Sequence, residues 1–115
     1  MKSSARWTIE YFATDRGTSP IEEFLSSLPA RERARATLYI ELLRATGVSL
    51  GSPHARQLQD QLWELRPGSV RIIYFADSGR RFVLVHAFKK QTPKTPRRHI
   101  EIAFNRMNDY LRRNP

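Results

Sequence analysis

Basic side chains stand at the ends of several strand-like runs in the second half of the chain. Arg66 closes a run that also contains Glu64, Arg71 lies inside the next run, and Lys89 and Lys90 close a third. A guanidinium held on or beside a sheet is less mobile than one on a solvated helix, and its planar fork of donors matches a phosphate. This pattern predicts a polyanion-binding site within residues 63–98.

The charge of the whole chain agrees with such a site. The sequence has 20 Lys and Arg against 11 Asp and Glu, which gives a formal net charge of +9 and a pI near 10.8. This balance attracts RNA, DNA, an anionic membrane surface or an acidic protein partner. The plain alternative is that the charge serves solubility alone. The sequence has no cysteine, which excludes thiol nucleophiles, disulfides and cysteine metal sites.

No stretch of the sequence predicts a membrane segment. No apolar run approaches the roughly 18 residues that a membrane span needs. The N-terminal stretch MKSSARWTIEYFA has too short and too interrupted an apolar segment for a signal peptide. We therefore expect a cytoplasmic protein with no membrane association.

Periodicity and turn residues predict one α+β domain over residues 1–115. The order is strand, helix, helix, three strands, helix, at residues 7–12, 20–28, 30–46, 62–66, 70–76, 81–88 and 96–111. Ser19 and Thr95 are the expected N-caps, each followed by a proline. The two central helices are expected to form an antiparallel hairpin that packs on a sheet. Residues 48–61 are expected to be irregular.

The second helix has a mixed apolar and basic composition. Its predicted apolar stripe consists of Leu38, Leu42 and Ala45, flanked by Ala34, Tyr39 and Leu43. In the last helix, apolar residues recur at helical spacing, which predicts an amphipathic helix: Ile100, Ala103, Phe104, Met107 and Leu111.

The three later strands are joined by short connections and predict an antiparallel meander. Neighbouring residues on a strand point to opposite faces, so Glu64 and Arg66 share a face. The meander can bring Arg66, Arg71 and the Lys89–Lys90 pair together. The alternative is that these charges form structural ion pairs, for example Glu64 with Arg66 or with Arg71.

A basic segment without acidic residues follows the third of these strands. Lys94, Arg97 and Arg98 continue the charge of the lysine pair, and the N-terminus of the next helix adds its own attraction for anions. His99 comes directly after this segment and can contact phosphate.

The other histidines have different surroundings. His54 lies in a loop near Arg56 and is the better candidate for acid–base work. His86 lies in an apolar strand, where a satisfied core residue is the ordinary interpretation. No two of the three histidines have the spacing of metal ligands, which argues against a metal site.

Four segments in this order resemble a known family: LWELR, VRIIYF, HAFKKQTPKTP and IEIAFNRMNDYL. Together they resemble the RelE/HigB toxin superfamily, and within it the phage-derived HigB-like branch. The resemblance implies a compact α+β domain in which a helical hairpin packs on the sheet. It also implies an endonuclease that cuts mRNA, generally on the ribosome, with no metal or cofactor. The implied partner is an antitoxin, a helix-turn-helix protein of the HigA type.

The resemblance also implies roles for particular residues. Arg66 and Arg71 would clamp the phosphate, and Lys89 or Lys90 would stabilise further charge. Lys90, His54 or Glu64 would transfer protons.

The branch often has a lysine in a K-x-L element where this chain has Arg56. The remaining implied contacts, to the RNA backbone or the ribosome, are Arg56, Lys94, Arg97, Arg98 and His99. Two alternatives remain open. One is a gyrase-inhibiting toxin of the related ParE type, and the other is a non-catalytic module that binds nucleic acid.

Overall fold

The computed structural model describes residues 6–115, so residues 1–5 of the predicted domain lie outside the described residues. The helices are α1 (Pro20–Ser27), α2 (Ala30–Thr46) and α3 (Arg97–Arg113). The strands are β1 (Thr8–Tyr11), β2 (Ala55–Gln59), β3 (Leu62–Leu65), β4 (Val70–Asp77) and β5 (Arg81–Lys89). They form one sheet in the order β1-β5-β4-β3-β2, in which only β1 and β5 run parallel within the described residues. The predicted α+β fold is confirmed.

Strand β2 lies inside residues 48–61, so the expectation of an irregular segment there is wrong. It has the sequence Ala-Arg-Gln-Leu-Gln, and it follows a 3-10 turn at Gly47–Ser49. As the edge strand beside β3, it has polar side chains and no β-branched residue, so it lacks the composition that indicates a strand. The predicted meander of β3, β4 and β5 is confirmed, and β2 extends it by one antiparallel strand.

Strand β4 is the centre of the core. All residues from Val70 to Phe75 are buried, and alternate side chains point to opposite faces, so both faces of this strand are covered. Helix α3 contacts β4 and β5, while α1 contacts β5 and α2. A buried Ile or Phe in such a core contributes about 1.5–3 kcal/mol relative to an exposed one.

The first helix begins as the sequence indicates. The hydroxyl of Ser19 accepts a hydrogen bond from the backbone N–H of Glu22 at 3.2 Å, and Pro20 is the first helical residue. This confirms the predicted N-cap.

Helix α2 covers the predicted residues but buries a different face. Its buried residues are Ala36, Ile40 and Leu43, whereas Leu38 at the centre of the predicted stripe is 65% exposed. The predicted stripe is therefore confirmed for Leu43 and wrong for Leu38, because this arginine-rich helix has apolar residues on two sides. Contact with the sheet selects the side that contains Ile40.

Helix α3 is amphipathic, as predicted. Ala103 and Met107 are buried, and Tyr110 joins them in the core. The expected cap is wrong, because the N-cap residue is Pro96 and the Thr95 hydroxyl donates to Glu64 instead. None of the helices in residues 6–115 is long and apolar enough to cross a membrane.

Candidate functional site

A buried carboxylate lies between two arginines at the end of the meander. Strand pairing places Glu64 of β3 opposite Arg56 of β2. Glu64 Oε1 lies 3.8 Å from Arg56 Nε and 3.9 Å from Arg71 Nε, and Thr95 Oγ1 donates to Oε2 at 2.6 Å. The Glu64 side chain is 1% exposed. A carboxylate buried this deeply requires such partners, because burial without them would cost several kcal/mol.

Arg71 holds the turn between β3 and β4. Its Nη1 donates to the carbonyl oxygens of Gly68 at 2.7 Å and Val70 at 2.9 Å, and its side chain is 7% exposed. Burial lowers the pKa of the Arg71 guanidinium, and the Glu64 carboxylate opposes that shift. The nearby positive charge of Arg66 lowers this pKa further. Arg71 therefore carries a positive charge inside the protein, beside a second arginine.

Three arginines from different elements meet at one open groove. We call it the arginine groove, a cavity of about 460 Å³ lined by Arg35, Tyr39, Pro53, Arg66, Gly68 and Arg71. None of its lining residues is acidic. Arg66 Nε is buried and has no hydrogen-bond partner within residues 6–115. Three guanidinium groups held at one groove favour the binding of an anion with several oxygens, such as a phosphate.

His54 and Tyr39 border the arginine groove. The backbone N–H of Arg66 donates to the carbonyl oxygen of His54 at 2.9 Å, which fixes the start of β2 beside the end of β3. The His54 ring lies 5.3 Å from the Tyr39 ring, measured between centroids. The guanidinium of Arg35 also lies over the Tyr39 ring, 6.0 Å from its centroid. The His54 imidazole therefore lies next to the arginine groove.

The lysine pair at the end of β5 divides between two roles. Lys89 Nζ forms an ion pair with Glu32 of α2 at 3.0 Å, so this lysine joins the helical layer to the sheet. The backbone N–H of Lys90 donates to the carbonyl oxygen of Ser69 at 2.8 Å, which places Lys90 beside the β3–β4 turn. Its side chain is exposed, like those of the basic segment that follows: Lys94, Arg97 and Arg98.

Comparison with known proteins gives a family for this arrangement. Residues 23–108 match the family described as Phage derived protein Gp49-like (DUF891), which is well over half of the chain. The chain belongs to this family. A chain of the toxin-antitoxin complex RelBE2 from Mycobacterium tuberculosis has the same fold, with a TM-score of 0.54 and 18% identity. The likeness covers 75% of this chain and 100% of that chain. No curated protein matches the sequence.

Several predicted site residues lie together in this Gp49-like protein. Arg66 and Arg71 line one groove, with Lys90 beside its turn and His54 at its border. The Glu64–Arg71 ion pair that was the structural alternative is also present, so Arg71 takes part in both arrangements. Arg56 lies on the far side of Glu64 and is 43% exposed.

His99 lies elsewhere on the same Gp49-like protein. Its Nδ1 lies 2.8 Å from Nε2 of His86, and its ring stacks on Phe88 with 3.8 Å between centroids. Burial lowers the pKa of His86 to about 4, with further lowering by Arg106 and His99. Within residues 6–115, no group of three His, Cys, Asp or Glu side chains could hold a metal ion.

Three contributors to the site were missed by the sequence reasoning. Arg35 and Tyr39 of α2 line the arginine groove, whereas the sequence pattern predicted Tyr39 only as part of the apolar stripe. Their i, i+4 spacing indicates that they share a face of α2, but periodicity does not indicate which face approaches the sheet. Thr95 was read as a cap, and its hydroxyl serves Glu64. No local pattern distinguishes these two uses of a threonine.

Proposed function

We propose that this Gp49-like protein is the toxin of a type II toxin–antitoxin pair of the HigB-like branch, which cleaves mRNA on the ribosome without a metal ion. The observation that carries the proposal is the arginine groove, where Arg35, Arg66 and Arg71 meet with no acidic lining residue. Family membership and the fold that is shared with a chain of a toxin-antitoxin complex support the same interpretation.

The proposed reaction is attack of a ribose 2′-OH on the adjacent phosphate. A bond forms between O2′ and phosphorus, the bond from phosphorus to O5′ breaks, and the products are a 2′,3′-cyclic phosphate and a 5′-OH. Negative charge accumulates on the non-bridging oxygens of the phosphorane, and preorganised donors that meet this charge supply the largest part of catalysis. The half-buried guanidinium of Arg66, which lines the groove, is suited to this task. Arg71 adds fixed positive charge, since Glu64 and two carbonyl oxygens hold it in one orientation.

Two protons must move in this reaction, one from the 2′-OH and one to O5′. Three groups were candidates from the sequence, and their surroundings differ. Both carboxylate oxygens of Glu64 have partners and the side chain is buried, which favours a positioning role for it. His54 at the border of the groove is the favoured proton acceptor, and Lys90, exposed beside the turn, is the favoured donor to O5′.

The remaining basic residues are proposed to contact RNA and ribosome. They are exposed or half-buried and surround the start of α3 and the edge of the sheet: Arg56, Lys89, Lys94, Arg97, Arg98 and His99. Each phosphate that such a side chain neutralises adds a salt-dependent increment of affinity. We propose a cytoplasmic location and a HigA-like helix-turn-helix antitoxin as the partner.

The experiment compares wild type with Arg66→Gln, and uses Arg112→Gln as the matched control. Arg66 is chosen because Arg71 carries contacts of the fold. Arg112 is 72% exposed and pairs with Asp109 at the far end of α3, away from the groove. Each protein is expressed from an inducible promoter, and new 5′-OH ends of cellular RNA are mapped. We expect wild type and the control to produce such ends, and Arg66→Gln to produce about 100-fold to 1,000-fold fewer, as loss of one charge-stabilising donor predicts.

The pattern of ends separates the alternatives. Ends in phase with codons support cleavage on the ribosome, and unphased ends support a nuclease that acts on free RNA. Growth arrest without new RNA ends would refute the nuclease and indicate a gyrase-type poison. Neither arrest nor new ends would indicate a module that only binds nucleic acid.

A further inference from the structure

Three side chains form a connected row from the middle of α3 to its first turn. Arg106 Nη1 donates to the carbonyl oxygen of Val85 at 2.9 Å and lies 3.4 Å from Nδ1 of His86. His86 Nε2 lies 2.8 Å from Nδ1 of His99. We call His86 and His99 the histidine pair. The row joins strand β5 to α3 at two points.

The row determines which nitrogen carries the proton in each ring. A guanidinium has only donors, so the His86 Nδ1 that faces it is left as an acceptor. His86 therefore carries its proton on Nε2 and donates it to His99 Nδ1. His99 then carries its own proton on Nε2, the ring nitrogen that is not bonded to His86. One cation thus selects the tautomer of both rings.

Both rings of the histidine pair are neutral near pH 7. Burial lowers the pKa of His86 to about 4, and Arg106 and His99 add to this shift. Burial also lowers the pKa of His99, with a further contribution from Arg98. The cations near the pair are Arg98 and Arg106 of α3. Lys89 at the end of β5 lines the neighbouring cleft, but it forms an ion pair with Glu32 of α2.

The ring of His99 is held in one orientation next to a cleft. It lies parallel to the buried Phe88 ring, at 3.8 Å between centroids and 5° between planes. The cleft has a volume of about 300 Å³ and is lined by Phe88, Lys89, Gln91, Thr92, Pro96, Arg98 and His99. None of the hydrogen bonds within residues 6–115 uses His99 Nε2. A rigid ring with one unused N–H beside Arg98 is a prepared donor for an anionic oxygen.

We propose that His99 donates a hydrogen bond from Nε2 to a phosphodiester oxygen of RNA, as a neutral imidazole whose tautomer is set by His86 and Arg106. That the ligand is RNA rests on the proposed function. The tautomer of His99 rests only on the contacts between Arg106, His86 and His99. Arg98 supplies the charge that holds the phosphate in the cleft, because Lys89 is already paired with Glu32. His86 and Arg106 are positioning residues. Because His99 donates without being protonated, the contact persists as pH rises above about 6.5, where an ordinary histidine loses its charge.

The first test reads the tautomers directly, by long-range proton–nitrogen NMR of the imidazoles in nitrogen-15-labelled full-length protein near neutral pH. We expect both rings to be neutral with the proton on Nε2. His86→Gln places an amide donor near the position of the lost Nε2 and is expected to keep His99 in this form. His86→Leu removes the donor, so His99 is expected to populate both tautomers and to titrate at a higher pH. A charged or Nδ1-protonated His99 in the wild type would overturn the proposal, as would an unchanged His99 in the leucine variant.

The second test adds a short single-stranded RNA in which every 2′-OH is methylated, so that it binds without being cut. We expect the His99 Nε2 resonance to move on binding. We also expect His99→Leu to weaken binding about tenfold, since one hydrogen bond is lost, while His99→Gln stays near wild type. RNA that fails to bind, or binds without moving this resonance, overturns the proposal. Cleavage of unmodified RNA is measured separately. Movement of the resonance without cleavage refutes the nuclease alone, and cleavage without movement refutes the role of His99 alone.

Discussion

Replacing Glu64 by glutamine tests whether one buried carboxylate organises the arginines of the site. Within residues 6–115, Glu64 and Arg71 are the only charged side chains that are buried. Glutamine has nearly the same shape, so the substitution removes the charge and leaves the packing. Its amide oxygen can still accept from Thr95, but its NH₂ group faces the two guanidinium groups as a donor.

The expected loss of stability follows from these contacts. Removing one partner of a buried ion pair costs about 3–5 kcal/mol, because the other charge stays buried without compensation. Arg71 keeps its two bonds to carbonyl oxygens, and Arg56 is 43% exposed and can be solvated. We therefore expect the lower end of that range, about 3 kcal/mol. For a domain of this size, that loss lowers the melting temperature by roughly 12 °C.

The assay is urea denaturation followed by tryptophan fluorescence, in which Trp63 reports next to the substituted residue. Glu41→Gln is the matched control, since Glu41 pairs with Arg44 on the exposed side of α2, where an ion pair contributes at most about 1 kcal/mol. A double-mutant cycle with Arg71→Gln is expected to give a coupling of about 0.5–3 kcal/mol. A Glu64→Gln loss no larger than that of the control, or a coupling near zero, would refute the reasoning.

Two further predictions concern residues outside the arginine groove. Gly47→Ala is expected to lower the free energy of unfolding by about 3 kcal/mol, because Gly47 has φ +78 and an added Cβ would lie 2.7 Å from Trp7 Nε1. Gly17→Ala is the control, since Gly17 has φ +83 but open space around it. The control should lose less stability in the same urea titration. A depressed His86 pKa near 4 means that the unfolded state binds more protons between about pH 4 and 6.5, so stability falls as pH falls through that window. His86→Gln should flatten this fall, and identical pH slopes for the two proteins would contradict the depressed pKa.

The sequence predicted those elements whose local patterns agree with their burial. Ser19 with Pro20 defined the start of α1, and strand-like runs between turn residues predicted β4 and β5, because these features depend on neighbours in the chain. Strand β2 was missed, since an edge strand with one side in solvent needs no apolar alternation. The buried face of α2 was only partly predicted, for a related reason. Its composition allows two apolar sides, and only contact with the sheet distinguishes Ile40 from Leu38.

In the site, too, the sequence predicted what depends on neighbours in the chain and missed what depends on contacts between distant elements. Strand alternation and short turns were sufficient to predict that Arg66 and Arg71 come together, because both depend on one meander. Arg35 belongs to a helix, and its place at the groove depends on how α2 lies over the end of the sheet. The histidine pair joins residues of β5 and α3 that are 13 positions apart. Its tautomers depend on Arg106, about two turns further along the helix, and no spacing rule in the sequence indicates this contact.

The charge balance of the site explains how a basic groove persists in a folded domain. Arginines brought together repel one another, and each buried guanidinium also loses its hydration. Glu64 compensates Arg71 from the interior side, where its carboxylate is 1% exposed, and Arg56 shares the same carboxylate. Because one carboxylate pairs with two guanidinium groups, Glu64, Arg56 and Arg71 together have a net positive charge. Because the acid lies in the protein rather than in the groove, the solvent side shows Arg35, Arg66 and Arg71 without an internal competitor for an anion. The carboxylate thereby stabilises the arrangement of charge that a phosphate would meet.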